Sequence, residues 1–250
     1  MRTLDGRNRN SRRVFWTGFA LLALLFAKSA SSQTDADLNY ANAIASPVRT
    51  DADRKADAGR KPLEFLRFTR IEPGMRVLDL SAGAGYTTQL LALATGATGH
   101  ILAQTPQASA KLQQRLADHP QPNISLVLRS YDEPVPPDVT GLDLVTIVLS
   151  YHDIAYLPVD RAKMDRALFA ALRPGGHLVI IDHSARDGSG ASDSKTLHRI
   201  DEALVRKELE GVGFRLEEES NFLRNPADPR DHAFFDTNIV TDKFALRFVK

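Results

Sequence analysis

Three stretches of this chain carry residue types that can do chemistry: Tyr151-His152-Asp153, Asp182-His183, and the turn Ser81-Ala82-Gly83-Ala84-Gly85-Tyr86. An imidazole with an ordinary pKa of about 6.5 can take a proton from a hydroxyl or amine near neutrality, which makes His152 a candidate general base. Asp153 is a candidate to orient it, although adjacent residues rarely point the same way. Gly83 and Gly85 allow a tight turn that brings bare backbone close to a ligand, where a side chain at positive φ would cost roughly 1–2 kcal/mol. The chain has no cysteine, which excludes disulfides, thiolate zinc sites and thiol catalysis.

The elements that would position these residues follow from the pattern. Val77 to Leu80 is a short apolar run of the kind buried on both faces of a parallel sheet, and Tyr86–Thr95 reads as the helix after the glycine turn. The unpaired N–H groups of that helix face the same space as the turn. Asp79 falls near the carboxyl end of the strand, where open α/β sheets bind their ligands. A dinucleotide fingerprint needs a third glycine where this chain has Thr88, and no lysine follows either glycine as a P-loop requires. Further strands are expected at His100–Gln104, Ile124–Leu128, Leu142–Ser150, Phe214–Ser220 and Lys243–Val249. Helices are expected at Ala108–Ala117 and Asp160–Leu172, with a long amphipathic one around Leu197–Glu210. In Leu172-Arg173-Pro174-Gly175-Gly176, proline stops the preceding helix and the glycines turn the chain into an apolar strand, His177–Asp182.

Val77-Leu78-Asp79-Leu80-x-Ala-Gly-x-Gly resembles the first motif of class I S-adenosylmethionine-dependent methyltransferases, and Leu-x-Pro-Gly-Gly resembles the turn before their fifth strand. The resemblance covers roughly residues 60–250. It implies an α/β, Rossmann-like, seven-stranded and mostly parallel sheet, helices on both faces, and a last strand that runs antiparallel. It implies S-adenosylmethionine as cofactor, held by Asp79, Ser81, Gly83, Gly85 and Tyr86. The ribose position after strand two, acidic in the family, is Gln104 here, which loses a charge-assisted hydrogen bond. Ser81 stands where a small glycine is common, a change that ordinary backbone angles would tolerate. Asp132, in Ser130-Tyr131-Asp132, is placed at the adenine edge or in a turn. Residues after strand four face the transferred methyl group in this family. There Tyr151 could stabilise a sulfonium through its ring face, beside His152 and Asp153. Asp153 and Asp182 partly match the metal carboxylates of catechol O-methyltransferases, but two residues without the rest of that pattern assign no metal. Arg60-Lys61-Pro62 and Tyr151-His152-Asp153 also resemble motifs of a group of predicted exported methyltransferases.

The first 32 residues pose a separate problem. Five arginines precede the apolar run Val14–Ala27, and small residues follow through Ser32, the order of an export signal. Ser11-Arg12-Arg13-Val14-Phe15 resembles a twin-arginine motif. The expected organisation is an export signal over 1–32, an N-terminal extension with helices over 33–70, and a methyltransferase-like domain over 71–250. The expected location is outside the cytoplasm, in the periplasm, with an uncleaved inner-membrane anchor as the alternative; the apolar run falls short of the roughly 20 residues a span needs. Six of the 32 basic and one of the 31 acidic residues lie in that segment, so the remainder carries 26 against 30, a net charge of −4. The mild basicity of the whole chain is therefore no nucleic-acid footprint.

The function expected is methyl transfer to a small-molecule acceptor. The rival is a binding protein or another enzyme on the same fold, motivated by Gln104 and by a cofactor made on the other side of the membrane. A nicotinamide dehydrogenase is disfavoured by Thr88, and no Gly-x-Ser-x-Gly elbow supports a hydrolase. His198, Arg199, Arg60 and Lys61 read as solvated faces.

Overall fold

Seven strands form one sheet in the order β3-β2-β1-β4-β5-β7-β6. The computed structural model describes residues 34–236 and 240–250, so the expected export signal lies outside the described residues. Strands β1 (Arg76–Leu80), β2 (His100–Thr105), β3 (Ile124–Leu128), β4 (Leu142–Val148) and β5 (Leu172–His183) pair in parallel; β7 (Lys243–Val249) is antiparallel to both β5 and β6 (Arg215–Ser220). The expected fold class is thereby met. Strand order reverses between β1 and β4, the point where sheets of this type open a crevice.

The helices are α1 over 34–45, α2 (Asp51–Arg60), α3 (Pro62–Thr69), α4 (Tyr86–Thr95), α5 (Ala110–Asp118), α6 (Tyr151–Ala155), α7 (Arg161–Ala171) and α8 (Glu202–Gly211). Among the described residues no helix is long and apolar enough to cross a membrane. Residues Tyr40–Lys250 form one compact unit. Leu78, Leu80, Val145, Ile147, Leu178 and Ile180 from the central strands are essentially unexposed and anchor its core. Such runs have no polar alternate because both sheet faces are covered.

Two expectations change. Leu172 is already extended (φ −70°, ψ 144°), so the Pro-Gly-Gly segment is an irregular start to β5 rather than a turn before it. Gly176 is needed there because a Cβ would lie 2.9 Å from the Leu142 carbonyl oxygen. The long helix begins only at Glu202, capped by the Asp201 side chain on the Ala203 N–H. Ile200 pairs with Ser184 in an isolated bridge instead.

Candidate active site

β1 carries Asp79 into the sheet, 2% exposed. Its carboxylate accepts from Thr88 Oγ1 at 2.6 Å and Thr146 Oγ1 at 2.8 Å, tying β1 to α4 and β4. Burial raises its pKa to about 6 against those two hydrogen bonds and the Arg60 charge. The turn after β1 does not have ordinary angles at Ser81. This residue sits at φ 61°, in the left-handed region that costs a side chain roughly 1–2 kcal/mol. Three contacts hold it there. Its N–H donates to Gln104 Oε1 at 3.3 Å, its hydroxyl meets the Tyr131 hydroxyl at 2.9 Å, and the Ala82 N–H donates to the Gln104 carbonyl at 2.9 Å. Gln104 is fully buried and its amide donates to the Arg129 carbonyl at 2.7 Å. Both ends of that side chain are therefore engaged in fixing the turn and the end of β3.

Gly83 (φ 59°) and Gly85 (φ 83°) complete the turn. A Cβ on Gly85 would lie 2.8 Å from Arg115 Cδ and 2.9 Å from Leu112 Cδ1, so this glycine lets α5 close on the turn. A Cβ on Gly83 would meet only the Ser81 carbonyl oxygen, at 3.8 Å. The backbone at Gly83 thus borders open space, as a ligand cradle requires. Tyr86 opens α4, and its hydroxyl donates to Asp57 Oδ1 of α2 at 2.7 Å. The Arg49 and Arg60 guanidinium carbons lie 5.4 and 5.5 Å from its ring centroid. Burial, then the Asp57 contact, raises the Tyr86 pKa.

Arg60 corrects the reading of a solvated face. It is half-buried, and burial lowers its pKa against the pull of Tyr86 and Asp79. Its guanidinium makes no hydrogen bond or ion pair among the described residues and packs instead over the Tyr86 ring. It lines an open pocket of 280 Å³ with Leu149, His183, Phe234, Thr241 and Lys243. A larger hollow of 610 Å³ lies between α2 and α5. The smaller pocket is the better candidate because Leu149 and His183 place it at the carboxyl ends of β4 and β5. Lys61, by contrast, is exposed and donates to the Phe222 carbonyl at 2.6 Å.

At those strand ends His152 is held by Asp182 rather than by Asp153 alone. Asp182 Oδ1 lies 2.5 Å from His152 Nδ1, and Asp182 Oδ2 accepts the His152 backbone N–H at 2.8 Å. The ring therefore turns its Nε2 inward, 3.2 Å from Asp153 Oδ1, and that nitrogen is buried without a well-aligned hydrogen bond. His198 Nδ1 reaches the same Asp153 oxygen at 3.0 Å. Burial opposes charge on His152, but Asp182 and Asp153 outweigh it and raise the pKa to about 9. Burial also raises Asp153, but the His152 and His198 contacts more than reverse this and hold it below the ordinary value. His183 is stacked on Phe234 (4.8 Å, 8°) and bonded to Thr241 Oγ1 at 2.8 Å. Burial, then Lys243 and His152, drives its pKa down to about 2, so it is neutral. Burial, then Arg60, lowers Lys243 to about 8. Tyr131 braces the turn: its hydroxyl meets Ser81, and burial raises its pKa against that hydrogen bond.

Tyr151 is not brought to the pocket. Its ring is unexposed within the core, and its hydroxyl lies 2.7 Å from Glu208 Oε2 and 3.0 Å from Asp165 Oδ2. A ring so packed presents no face to a sulfonium. Asp132 accepts the Asp160 N–H at 2.8 Å at the entrance to α7, the turn role of its two alternatives. Arg199, also read as solvated, is unexposed. Its guanidinium binds Asp228 (2.7 and 3.2 Å) and the carbonyls of Ser184 (3.0 Å) and His232 (2.8 Å). It staples the 225–236 loop, which carries Phe234 and Phe235, to the end of β5. His198 was missed as a site residue because the sequence around it reads as helix. The Gly/Ser/Asp-rich stretch Asp187–Ser194 and the capping aspartate Asp201 were the signals that 184–200 is a loop.

No family model matches the chain. Over 118 residues it is 31% identical to the ubiquinone/menaquinone biosynthesis C-methyltransferase of Proteus mirabilis, a match covering 46% of this chain and 45% of that protein. Over 117 residues it is 28% identical to an arsenite methyltransferase of Halobacterium salinarum, covering 46% and 29%. The matched stretch therefore spans less than half the length of either relative. A SAM dependent methyltransferase structure from Aquifex aeolicus superposes with a TM-score of 0.57 at 18% identity, over 80% of this chain and 99% of that one. These likenesses, with the strand order and the glycine turn, establish the chain's fold as the Rossmann-like fold of S-adenosylmethionine-dependent methyltransferases.

Proposed function

We propose that this chain transfers a methyl group from S-adenosylmethionine to a small-molecule acceptor. One observation carries the reading. The sheet order sets the glycine turn after β1, braced by the Tyr131 hydroxyl on Ser81, beside the His152–Asp153–Asp182 cluster after β4 and β5. The site fits the cofactor in part. Gly83 leaves backbone bordering open space, and Arg60 offers an unpaired guanidinium beside Tyr86 suited to a carboxylate. Ser81, Gly83, Gly85, Tyr86 and Arg60 would hold the cofactor, with Asp79 bracing the turn from behind. Gln104 would act on it indirectly, by fixing the turn. Bound S-adenosylmethionine supplies an electrophilic methyl group on a sulfonium sulfur.

The chain's own residues position the acceptor and keep water out. With Arg60 engaged by the cofactor, Lys243 gives the 280 Å³ pocket a positive group, while Leu149, Phe234 and Val240 give it an apolar wall. That pairing suits an apolar acceptor bearing an anionic group. The His152 cluster adjoins the pocket through His183, a lining residue whose ring centroid lies 5.7 Å from that of His152. Much of the rate would come from alignment of the two reactants. We infer export from the signal expected over residues 1–32, and no nucleic-acid partner.

Isothermal titration of the purified chain, freed of co-purified ligand, against S-adenosylmethionine and S-adenosylhomocysteine tests the reading. Micromolar binding that is lost in Gly83→Val/Gly85→Val is expected. A folded, ligand-free protein that binds neither would overturn it. The second reading, a non-methyl-transferring protein on the same fold, would then stand; the internal engagement of Gln104 is the observation that favours it.

A further inference from the structure

The sequence alone assigns no metal to this chain, yet the geometry points to one: we propose that His152 Nε2, the Asp153 carboxylate and His198 form a site for a divalent transition-metal ion. One ligand atom from each residue lies within 4.8 Å of the others. His152 Nε2 and His198 Nδ1 stand 3.2 and 3.0 Å from the same Asp153 oxygen. Ligands around a tetrahedral ion at about 2.0–2.1 Å are separated by roughly 3.3 Å, so small outward shifts would admit the ion.

Independent features point to a ligand between these side chains. His152 is 1% exposed, and its Nε2 has no hydrogen-bond partner although it faces the other two groups. Its Nδ1 is bound to Asp182, which fixes the ring and selects Nε2 as the inward atom. A carboxylate on the far nitrogen of a ligating histidine is the usual support for a metal-bound imidazole. His198 holds a left-handed backbone (φ 52°) that its side chain disfavours. Its ring is propped edge-on by Tyr156, Phe234 and Phe235. That backbone is what delivers the ring to Asp153 from the 184–200 loop. Two imidazoles and one carboxylate suit zinc, iron(II), cobalt or nickel over calcium or magnesium. Three protein ligands leave positions open for an acceptor oxygen or nitrogen. That use rests on the methyl-transfer reading; the binding does not.

The test is titration of the full, chelator-stripped chain with Zn²⁺ alone, and with Co²⁺ followed by its visible absorption, in the absence of S-adenosylmethionine. One ion per chain at micromolar affinity or tighter is expected, with a cobalt spectrum of nitrogen-ligated character. His198→Ala and Asp153→Asn, at partly exposed side chains, should each weaken binding by 10-fold or more while circular dichroism stays unchanged. Asp182→Asn should weaken it by about 10-fold without removing a ligand. His232→Ala, at the exposed His232–Asp231 pair, should leave it unchanged. Failure to bind Zn²⁺ or Co²⁺, or binding that survives His198→Ala and Asp153→Asn, or that disappears in His232→Ala, would overturn the proposal. None of these outcomes bears on cofactor binding, which the S-adenosylmethionine titration reads separately.

Discussion

Replacing Arg199 by methionine tests how the site is held in place. Arg199 is unexposed and gives four hydrogen bonds: two to the Asp228 carboxylate and two to the Ser184 and His232 carbonyls. Methionine fills the volume but leaves Asp228 with only the backbone N–H groups of Arg230 (3.0 Å) and Asp242 (2.6 Å). Breaking a buried pair from one side costs about 3–5 kcal/mol, because the remaining charge stays buried. With a urea slope of about 3 kcal/mol/M for a chain of this size, the midpoint should fall by somewhat more than 1 M. Arg173→Met is the control. Its pair with Asp143 (2.7 Å) has one side chain 47% exposed, and its loss should cost under about 1 kcal/mol. Arg199→Met/Asp228→Asn should recover part of the loss, since the amide oxygen keeps one acceptor for the backbone donors without the charge. Equilibrium urea denaturation followed by far-UV circular dichroism and tyrosine fluorescence measures all three. A loss in Arg199→Met no larger than in Arg173→Met would refute the claim that this pair staples the 225–236 loop to the sheet.

Three further outcomes are expected. Tyr151 has one hydroxyl proton yet lies within bonding distance of two carboxylates. Arg161 donates to both Glu208 oxygens (2.5 and 3.0 Å), and burial, with Glu208 adding to it, raises the Asp165 pKa to about 7 against the Tyr151 hydrogen bond. The folded state then holds a proton that the unfolded chain releases near pH 4. The associated stability is complete below that value and is lost as pH rises through about 7. Asp165→Asn should flatten the fall in stability between pH 4.5 and 8; denaturation curves whose pH dependence matches wild type would rule this out. Arg60→Met should weaken S-adenosylmethionine binding about 10-fold or more without unfolding the chain, the loss of one charge-assisted contact of roughly 1.5–3 kcal/mol; unchanged titration isotherms would exclude Arg60 from the cofactor site. Gly83→Ala should cost only its backbone strain, roughly 1–2 kcal/mol, whereas Gly85→Ala should cost more, since its Cβ meets Leu112 and Arg115 inside 3.0 Å. Thermal melts of the two variants side by side decide the order.

The sheet was legible because burial leaves so little choice. Lys243–Val249, buried at all but its last residue, falls where the pattern puts it; Ile124–Leu128 also does, on its apolar residues alone, since only Val127 of that edge strand is buried. The helix expected around Leu197–Glu210 was overread because Leu197, Ile200 and Leu204 share a helical spacing. Ile200 earns its burial from the bridge to Ser184 instead, and periodicity cannot tell the two apart. That one misreading hid His198, since a histidine on a helix face looks solvated. Tyr151 failed for a related reason. Its neighbours His152 and Asp153 do reach the cluster, but a five-residue helix, α6, sends successive side chains to different sides.

Partnerships across the chain were out of reach for a different reason. Nothing local says that Asp182, 30 residues from His152, takes its Nδ1, or that Gln104 turns inward to hold Ser81. Of the six described non-glycine residues with left-handed backbones, Lys61, Arg70 and Arg230 lie elsewhere and three stand where the chemistry is proposed. Ser81, Leu149 and His198 all adopt left-handed backbones without being glycine, and all three border the crevice between the glycine turn and the ends of β4 and β5. Each is held by contacts from elsewhere: Ser81 by Gln104 and Tyr131, Leu149 by its N–H to the Ile181 carbonyl at 2.7 Å, and His198 by Asp153 and the aromatic rings around it. Backbone of this kind persists only where its surroundings over-determine it. A reading built on local propensity is therefore weakest at these residues, and the same tertiary contacts that defeat it are the ones that aim His152, Asp153 and His198 at one point.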